Sequence, residues 1–343
     1  MWPAERGDLD FGLDLGTRRT RVVDVNGTVV WEEASLLARR RGRDVVAVGD
    51  AAAEWQGRGG QDVDVHSVLT GGVPEDAVRL EAYLRAMMER LTGVGRIRGG
   101  WLVGVSAPWT ASARDGVRQA LASVGVSRVA WADGLACAAV GAGLDIAGPS
   151  AQMVMDVGAG RSRAGVFASG MLLADRHIPV GGDECTNAIE AWLRTSYQIV
   201  VPARVADAVK LRLATVVIPL DPARMRVRGR DPATGQAREV EVGQVEAAAA
   251  IRPVVDRLRK GLRDVMARTP PDAAGDIADR GWVLAGAGGR MMGLADRLRE
   301  DTELPVIVPS SPDGVVAAGL AIALKDLGSE RWRGGLPTLG AGP

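Results

Sequence analysis

The feature that most constrains this chain is a unit that its sequence contains twice, about 140 residues apart. Each copy consists of an apolar strand ending in an aspartate, a glycine turn, and a second strand that a hairpin turn joins to a third. The aspartates are Asp14 and Asp156, the glycine turns are Gly16-Thr17 and Gly158-Ala159-Gly160, and the hairpin turns are Asn26-Gly27 and Ser169-Gly170. Two unrelated glycine turns are the alternative, but they do not account for the matched spacing. We therefore favour an internal duplication, with a period far longer than that of a solenoid.

Strand and helix patterns alternate through the rest of the chain, which is typical of an α/β protein. The predicted strands cover residues 101–105, 128–132, 282–284 and 305–308, with a polar hairpin at 226–228 and 240–242. The predicted helices cover residues 111–124, 135–142, 185–197, 205–213, 244–267 and 314–324. The two copies thus begin two halves, 1–149 and 150–325, that face each other across a cleft. The last helix, 314–325, is expected to pack back on the first half, and residues 326–343 are expected to form a flexible tail.

Charge and rare residue types exclude several classes of function. The chain has 42 basic and 42 acidic side chains, so no basic surplus is available for a nucleic-acid partner. Its two cysteines and two histidines are too few for a disulfide framework, a zinc site or histidine-based catalysis. No stretch approaches the roughly 20 apolar residues of a membrane-spanning helix, and the first residues lack the apolar core of a signal peptide. We therefore expect a cytoplasmic protein.

The glycine turns at the ends of strands are suited to hold phosphate groups. Backbone N–H groups must approach phosphate oxygens closely, and glycine is needed where a Cβ would block them. A third such turn, Gly286-Ala287-Gly288-Gly289, follows the strand at 282–284, whereas the chain has no P-loop motif. Asp14 and Asp156 end equivalent strands, where two carboxylates suit a hydrated Mg²⁺. The alternative is that each aspartate only caps its own turn.

Several segments together resemble one known family. The run Asp14-Leu15-Gly16-Thr17 and its hairpin resemble the first phosphate motif of the actin, Hsp70 and sugar-kinase superfamily. The segments 180–184 (Val-Gly-Gly-Asp-Glu) and 228–235 (Arg-Gly-Arg-Asp-Pro-Ala-Thr-Gly) are more specific, and they are similar to the MreB family of bacterial actin homologues. This resemblance extends over nearly the whole chain. It implies an α/β, actin-like ATPase fold, in which duplicated ribonuclease-H-like domains enclose a nucleotide cleft, with small subdomains at about 32–75 and 183–250.

The resemblance also implies roles for residues of the cleft. ATP and Mg²⁺ are the implied cofactors, Asp14 and Asp156 the implied metal ligands, and Asp133 an implied substitute for a catalytic glutamate. The implied nucleotide-binding residues are Gly16, Thr17 and Arg18 in the first loop, Gly158, Ala159 and Gly160 in the second, Gly286, Ala287 and Gly288 on the adenosine side, and Asp207 and Lys210 near the adenine and ribose.

Three departures from the family pattern bear on the expected activity. Arg18-Arg19 stands where the family usually has Ala-Asn, and Arg161-Ser162-Arg163 stands where it has two threonines and a glutamate. Asp133-Gly134-Leu135 replaces a Glu-Glu-Pro segment whose glutamate orients the attacking water. Losing such a group typically costs on the order of 10²–10⁴ in rate, whereas added arginines can strengthen phosphate binding. We expect nucleotide binding with slow or absent hydrolysis.

The function that the resemblance implies is that of an ATP-binding, filament-forming cytoskeletal protein at the inner face of the cytoplasmic membrane. Its implied partners are further copies of itself, the membrane surface as a peripheral contact, and cell-wall synthesis proteins, whose scaffolding determines cell shape. Two alternatives stay open: a degenerate nucleotide-binding adaptor without ATPase activity, and a small-molecule phosphotransferase of the same superfamily. The cluster Arg39-Arg40-Arg41-Gly42-Arg43 is interpreted either as a contact to anionic lipid or as a solvated loop.

Overall fold

The computed structural model describes residues 9–40, 44–56, 62–92 and 99–326. The strands of these residues are β1 (Phe11–Leu15), β2 (Arg19–Asp24), β3 (Val29–Ala34), β4 (Leu36–Arg40), β5 (Val45–Val48), β6 (Val63–Ser67), β7 (Gly100–Val105), β8 (Arg128–Asp133), β9 (Gln152–Val157), β10 (Ser162–Ala168), β11 (Met171–Ile178), β12 (Arg224–Arg230), β13 (Ala237–Gly243), β14 (Trp282–Ala285) and β15 (Val306–Ile307). The helices are α1 (Asp50–Ala53), α2 (Ala77–Thr92), α3 (Ala111–Ser123), α4 (Gly134–Gly141), α5 (Gly182–Tyr197), α6 (Ala203–Leu213), α7 (Gln244–Met266), α8 (Pro271–Arg280), α9 (Leu294–Thr302) and α10 (Val315–Asp326), with a 3₁₀ turn at Ala287–Arg290.

Each half is built around a five-stranded sheet, and the two sheets have the same topology. The strand order is β3-β2-β1-β7-β8 in the first and β11-β10-β9-β14-β15 in the second. In both sheets the first strand of the unit is antiparallel to its hairpin partner and parallel to the strand on its other side. The predicted duplication is confirmed, because the second unit repeats the order and direction of all five strands.

Two smaller sheets are inserted into this frame. The strands β4, β5 and β6 form an antiparallel sheet in the order β5-β4-β6, and β12 pairs with β13 as a hairpin. Both insertions fall inside the ranges expected for small subdomains, while the domain boundaries themselves stay a prediction. Residues 41–43 of the arginine cluster and residues 327–343 of the predicted tail lie outside the described residues.

The halves meet through α4 and α10, which share one buried core with both sheets. Glycines in the sheets make room for these helices. A Cβ added at Gly12 of β1 would lie 2.8 Å from Cβ of Leu320 in α10. A Cβ added at Gly165 of β10 would lie 2.8 Å from Cδ2 of Leu135 in α4. Each helix thus packs closely on the sheet of the other half, and α10 contacts β1, β2 and β7.

Two details differ from the sequence-based expectations. The turn at Asn26-Gly27 was expected to have two residues, but the loop between β2 and β3 has four, because the Asp24 side chain accepts hydrogen bonds from the N–H groups of Asn26 and Thr28. The turn at Ser169-Gly170 does have two residues, both with positive φ, as a tight hairpin requires. Helix α2 was not predicted, although its buried residues recur every three or four positions: Leu80, Tyr83, Leu84, Met87 and Leu91. Among the described residues, no helix combines the length and apolar character needed to cross a membrane.

Candidate functional site

The two glycine turns of the duplicated unit have the same backbone geometry. The N–H of Gly16 donates to the carbonyl of Arg19 at 3.1 Å, and the N–H of Gly158 donates to the carbonyl of Arg161 at 3.0 Å. A Cβ at Gly16 or Gly158 would lie 2.6 or 2.8 Å from that same carbonyl oxygen, so both turns require glycine. Each turn directly follows the strand that carries its aspartate. We call residues 16–19 the first loop and residues 158–161 the second loop.

The two loops approach each other at the floor of the cleft between the halves. A Cβ added at Gly160 would lie 2.7 Å from the Thr17 hydroxyl and 2.8 Å from the Cα of Gly71. The Arg161 side chain crosses to the first half and donates to the carbonyl of Gly71. The N–H groups at the loop centres donate no hydrogen bond to another described residue, so they can serve an anion: Thr17, Arg18, Ala159 and Gly160.

Asp14 and Asp156 end β1 and β9 beneath these loops, and both are largely buried. Burial raises the pKa of Asp14 to about 7, opposed by the charge of Arg21 and increased by those of Asp156 and Glu32. Burial also raises the pKa of Asp156 to about 6, with Arg163 opposing the shift. The negative charge of Asp156 thus adds to the rise in the pKa of Asp14.

These two carboxylates fit a divalent cation. Neither accepts a hydrogen bond from another described residue, and the nearest guanidinium nitrogen of Arg21 is 4.0 Å from Asp14. The described residues contain no group of three or more potential metal ligands, so this is no closed all-protein metal cage. Mg²⁺ is commonly held by one or two carboxylates together with nucleotide phosphates and water, and Asp14 and Asp156 would supply the two carboxylates.

The third glycine turn covers the carboxyl end of β9. Gly286 has φ of 79°, and a Cβ there would overlap the carboxylate of Asp156 and the carbonyl of Val157. The N–H of Gly286 donates to the carbonyl of Pro312 at 2.7 Å. The structure thus brings Gly286 and Gly288 next to the end of β9, from which the second loop starts, although 128 residues separate Gly286 from Gly158 in the sequence.

Lys210 and Asp207 of α6 lie beside the second loop. The Lys210 ammonium donates to Asp207 Oδ1 at 2.6 Å, to the Thr186 hydroxyl at 3.0 Å and to the Gly182 carbonyl at 3.3 Å. The N–H of Gly182 in turn donates to the Gly158 carbonyl at 3.0 Å. Burial alone would raise the pKa of Asp207, but the hydrogen bond and charge of Lys210, together with Arg18, outweigh it and lower that pKa.

Arg18 spans the cleft from the first loop to the second half. Its Nε donates to Asp183 at 2.6 Å, and Nη2 donates to Asp207 at 3.4 Å. Its side chain is 49% exposed, so these bonds are made at the mouth of the cleft rather than in the core. Arg18 is thus the residue of the first loop that contacts Asp207, the ion-pair partner of Lys210.

Asp133 does not have the surroundings of a residue that orients water. It is 3% exposed, and its Oδ1 accepts from the N–H groups of Leu135 and Ala136, which caps α4. Nη1 of Arg163 donates to both carboxylate oxygens, at 2.9 and 2.8 Å. The implied role of Asp133 as a substitute for the catalytic glutamate stays a prediction, and its burial in an ion pair and a helix cap argues against that role.

The sequence reasoning missed three charged residues that surround the site: Arg21, Arg163 as a partner of Asp133, and Asp313. Two signals could have found them. Arg21 and Arg163 each follow their loop aspartate by seven residues, and the strand registers place each arginine directly opposite that aspartate. An Asp-Gly pair precedes the helical segments of both α4 and α10, at Asp133-Gly134 and Asp313-Gly314.

Comparison with known proteins agrees with this geometry. The cell shape-determining protein Mbl of Bacillus subtilis is 29% identical over 320 residues, which cover 93% of this chain and 96% of Mbl. The crystal structure of MreB5 of Spiroplasma citri bound to ADP matches with a TM-score of 0.86 at 24% identity, over 92% of this chain and 97% of that chain. The MamK double helical filament matches with a TM-score of 0.76 at 18% identity, over 92% of this chain and 98% of the MamK chain. The predicted actin-like fold is confirmed. A family model described as MreB/Mbl protein matches residues 8–331, and the chain therefore belongs to the MreB/Mbl family.

Proposed function

We propose that this chain is a nucleotide-binding, filament-forming protein of the bacterial cytoskeleton that determines cell shape. The observation that carries the proposal is the convergence of two equivalent glycine loops and two buried aspartates at one cleft floor. Family membership supports it, since the relative Mbl is named a cell shape-determining protein. Two proteins of similar fold support it further, one solved with ADP and one as a filament.

Each part of the cleft has a proposed role toward the nucleotide. The free N–H groups of the two loops bind phosphate oxygens, and glycine at 16, 158 and 160 lets the backbone come close enough. Asp14 and Asp156 hold Mg²⁺, which neutralises phosphate charge when it is bound. Lys210 and Asp207 contact the ribose side, and the turn at 286–288 contacts the adenosine. The cleft lies between the proposed domains, 1–149 and 150–325.

We propose that nucleotide turnover is slow or absent. A group that activates water needs a free carboxylate oxygen facing the reacting phosphate. Asp133 cannot supply one, because Arg163 and two helix N–H groups occupy its carboxylate. Filament assembly then follows nucleotide binding rather than hydrolysis, and head-to-tail contacts between identical copies extend without closing.

The proposed site of action is the inner face of the cytoplasmic membrane, as a peripheral protein that scaffolds cell-wall synthesis proteins. The support for this finer assignment is family membership and the basic residues of the small first-half sheet. Arg39 and Arg40 end strand β4 next to further arginines in the sequence. Such basic residues contribute about 1 kcal/mol each near an anionic lipid surface.

The experiment that tests the function is sedimentation and negative-stain microscopy of the purified protein on anionic and on neutral vesicles. It is run with ATP, with ADP and without nucleotide, and phosphate release is followed in parallel. We expect ATP-dependent filaments on anionic vesicles with little phosphate release. Nucleotide-independent behaviour in every condition would contradict the proposal.

The matched variants for this experiment are Asp156→Ala and Asp279→Ala. Asp156→Ala removes a cleft carboxylate and should abolish Mg²⁺-dependent nucleotide binding while the fold is retained. Asp279→Ala removes an exposed carboxylate from α8 and should behave as the wild type. Unchanged nucleotide affinity in Asp156→Ala would show that the metal assignment is wrong.

A further inference from the structure

Two buried arginines occupy equivalent positions in the two halves. Arg21 on β2 lies opposite Asp14, and Arg163 on β10 lies opposite Asp156. Both are nearly inaccessible, at 7% and 5% exposure. A buried guanidinium destabilises the folded protein unless carboxylates and other hydrogen-bond acceptors surround it. The folded structure therefore depends on the groups that pair with these two side chains.

Each arginine is hydrogen-bonded to one carboxylate within its own half. Nη2 of Arg21 is 2.9 Å from Glu32 on the neighbouring strand β3. Nη2 of Arg163 is 2.9 Å from Asp175 on the neighbouring strand β11. These pairs fix the position of each guanidinium on its own sheet.

Each arginine also binds a carboxylate from the other half. Arg163 of the second half binds Asp133, the residue that caps α4 at the end of the first half. Arg21 of the first half donates to the Asp313 carbonyl at 2.7 Å and to the Asp313 carboxylate at 2.9 Å, just before α10. The two cross-half pairs are thus related by the same pseudo-twofold symmetry as the sheets. We call them the two clamps.

The clamps lie at the ends of the two helices on which the halves meet. A Cβ added at Gly141 of α4 would overlap the carbonyl of Val315, and one added at Gly319 of α10 would overlap the carbonyl of Cys137. The helices therefore cross backbone to backbone, with no side chain between them at these points. One half can rotate against the other at such a crossing, because glycines have no side chains that would interdigitate between the two helices.

Rotation about this crossing would separate the clamp partners. Asp133 is fixed to α4 as its cap, and Arg163 is fixed to its own sheet by Asp175. Neither side chain can follow the other half without losing these bonds. Separation in a buried setting leaves charges without partners, which is far more costly than breaking an exposed ion pair.

We propose that Arg21 and Arg163 are positioning residues that hold the two halves at one angle with or without nucleotide, through Asp313 and Asp133. Nucleotide binding then does not change the angle between the halves of this chain, because the clamps already fix that angle. This inference goes beyond the proposed function, since the clamps act in the protein without a nucleotide.

The test measures the distance between spin labels on the two halves by pulsed electron spin resonance. Labels are attached at Val78→Cys on α2 and Val245→Cys on α7, which are exposed, whereas the native Cys137 and Cys185 are buried. The clamps are weakened by Asp133→Asn, which keeps a capping side chain, together with Asp313→Ala. In these variants Arg21 keeps Glu32 and Arg163 keeps Asp175, so neither buried guanidinium is left without a carboxylate. Arg290, which also pairs with Asp313, loses that partner, but its side chain is 58% exposed.

The matched control is Glu32→Gln together with Asp175→Asn. It removes one carboxylate from each of the same two arginines but leaves both cross-half pairs in place. We expect one narrow distance in the wild type and in the control, unchanged by ADP or by a non-hydrolysable ATP analogue. In the clamp variant we expect a broader distribution without nucleotide. Where nucleotide binds, its addition should shift or narrow that distribution.

Several results would overturn the inference. A wild-type distance that shifts on nucleotide addition would show that the clamps do not fix the angle. So would a clamp variant as narrow as the wild type, or a control as broad as the clamp variant. If the double variant fails to fold, Asp313→Ala alone is used, because Asp313 is 28% exposed and its loss leaves little buried charge. The distance distributions without nucleotide, compared between the wild type, the clamp variant and the control, test the inference even if the chain binds no nucleotide.

Discussion

The first loop and the second loop share the same backbone geometry but present different groups to the cleft. The first loop carries side chains: the Thr17 hydroxyl lies against Gly160, and Arg18 reaches across to Asp183. The second loop presents almost only backbone atoms at Ala159 and Gly160. Its one long side chain, Arg161, donates its hydrogen bond to the Gly71 carbonyl of the first half. Duplication has therefore fixed the geometry of both loops, while a few side chains decide what each loop can contribute.

The aspartates beneath the loops differ in the same way. Asp14, with a pKa of about 7, has burial, Asp156 and Glu32 acting against its charge, and only Arg21 favouring it. Asp156, with a pKa of about 6, has burial against its charge and Arg163 in favour of it. Equivalent positions in a duplicated fold can thus have different charged neighbours, although burial raises the pKa of both aspartates.

The largest expected effect on nucleotide affinity comes from adding a side chain to the second loop. Gly160→Val would press a branched side chain against Thr17 and Gly71, forcing the two loops apart. Overpacking of this kind costs about 1–3 kcal/mol, and each 1.4 kcal/mol is a factor of ten, so we expect nucleotide affinity to fall about 10- to 100-fold. Titration with a fluorescent ATP analogue measures this.

Two further variants are compared with Gly160→Val for their effect on nucleotide affinity. Thr17→Val keeps the volume of the first-loop residue and should weaken binding less than Gly160→Val does. Gly275→Val lies on α8, where an added Cβ meets no atom within 4 Å, and should leave affinity unchanged. If Thr17→Val and Gly160→Val lower nucleotide affinity equally, the first loop does not differ from the second in how much its side chains contribute to binding.

The next effect concerns stability as a function of pH. The folded-state pKa of Asp14, about 7, lies above its ordinary value of 3.8, so the folded protein binds more protons than the unfolded chain in this window. The contribution of Asp14 to the free energy of unfolding is therefore fully present below about pH 4 and is lost as the pH rises through about 7. We expect Asp14→Asn to stabilise the nucleotide-free, metal-free protein at pH 8 by on the order of 2–4 kcal/mol.

Denaturant unfolding at pH 5 and pH 8 measures this difference. Asp156→Asn should show the same sign with a smaller effect, because the pKa of Asp156 is raised only to about 6. Added Mg²⁺ should stabilise the wild type at pH 8 more than it stabilises Asp14→Asn. A loss of stability in Asp14→Asn at pH 8 would mean that a group other than Arg21 stabilises the ionised carboxylate.

The fold was largely predictable from the sequence, because the duplicated strand-turn-strand unit and the alternating periodicity are local signals. The glycine loops and the two aspartates were predictable for the same reason. The partners of Asp133 were not, since Arg163 lies 30 residues away and in the other half. Asp133 looked like a shortened glutamate in the sequence, and only its contacts identify it as a cap and ion-pair partner. Charge pairs that cross between domains leave no periodic pattern to detect.

The smallest expected effect tests the one long side chain that the first loop sends across the cleft. Arg18 is 49% exposed, and exposed ion pairs are worth about 0.2–1 kcal/mol, so Arg18→Ala should weaken nucleotide binding only about two- to fivefold. The dependence of affinity on salt concentration should also become shallower, because a cation near the phosphates is lost.

Arg19→Ala is the matched control for this change. Arg19 is the next residue and is 37% exposed, but it pairs with Glu32 and Asp50 inside the first half. If Arg18 acts through the cleft, Arg19→Ala should keep the affinity and the salt dependence of the wild type. Equal effects of the two substitutions would mean that only the net charge of the first loop matters. The contrast between the loops would then rest on Thr17 and the bare backbone of Gly160 alone.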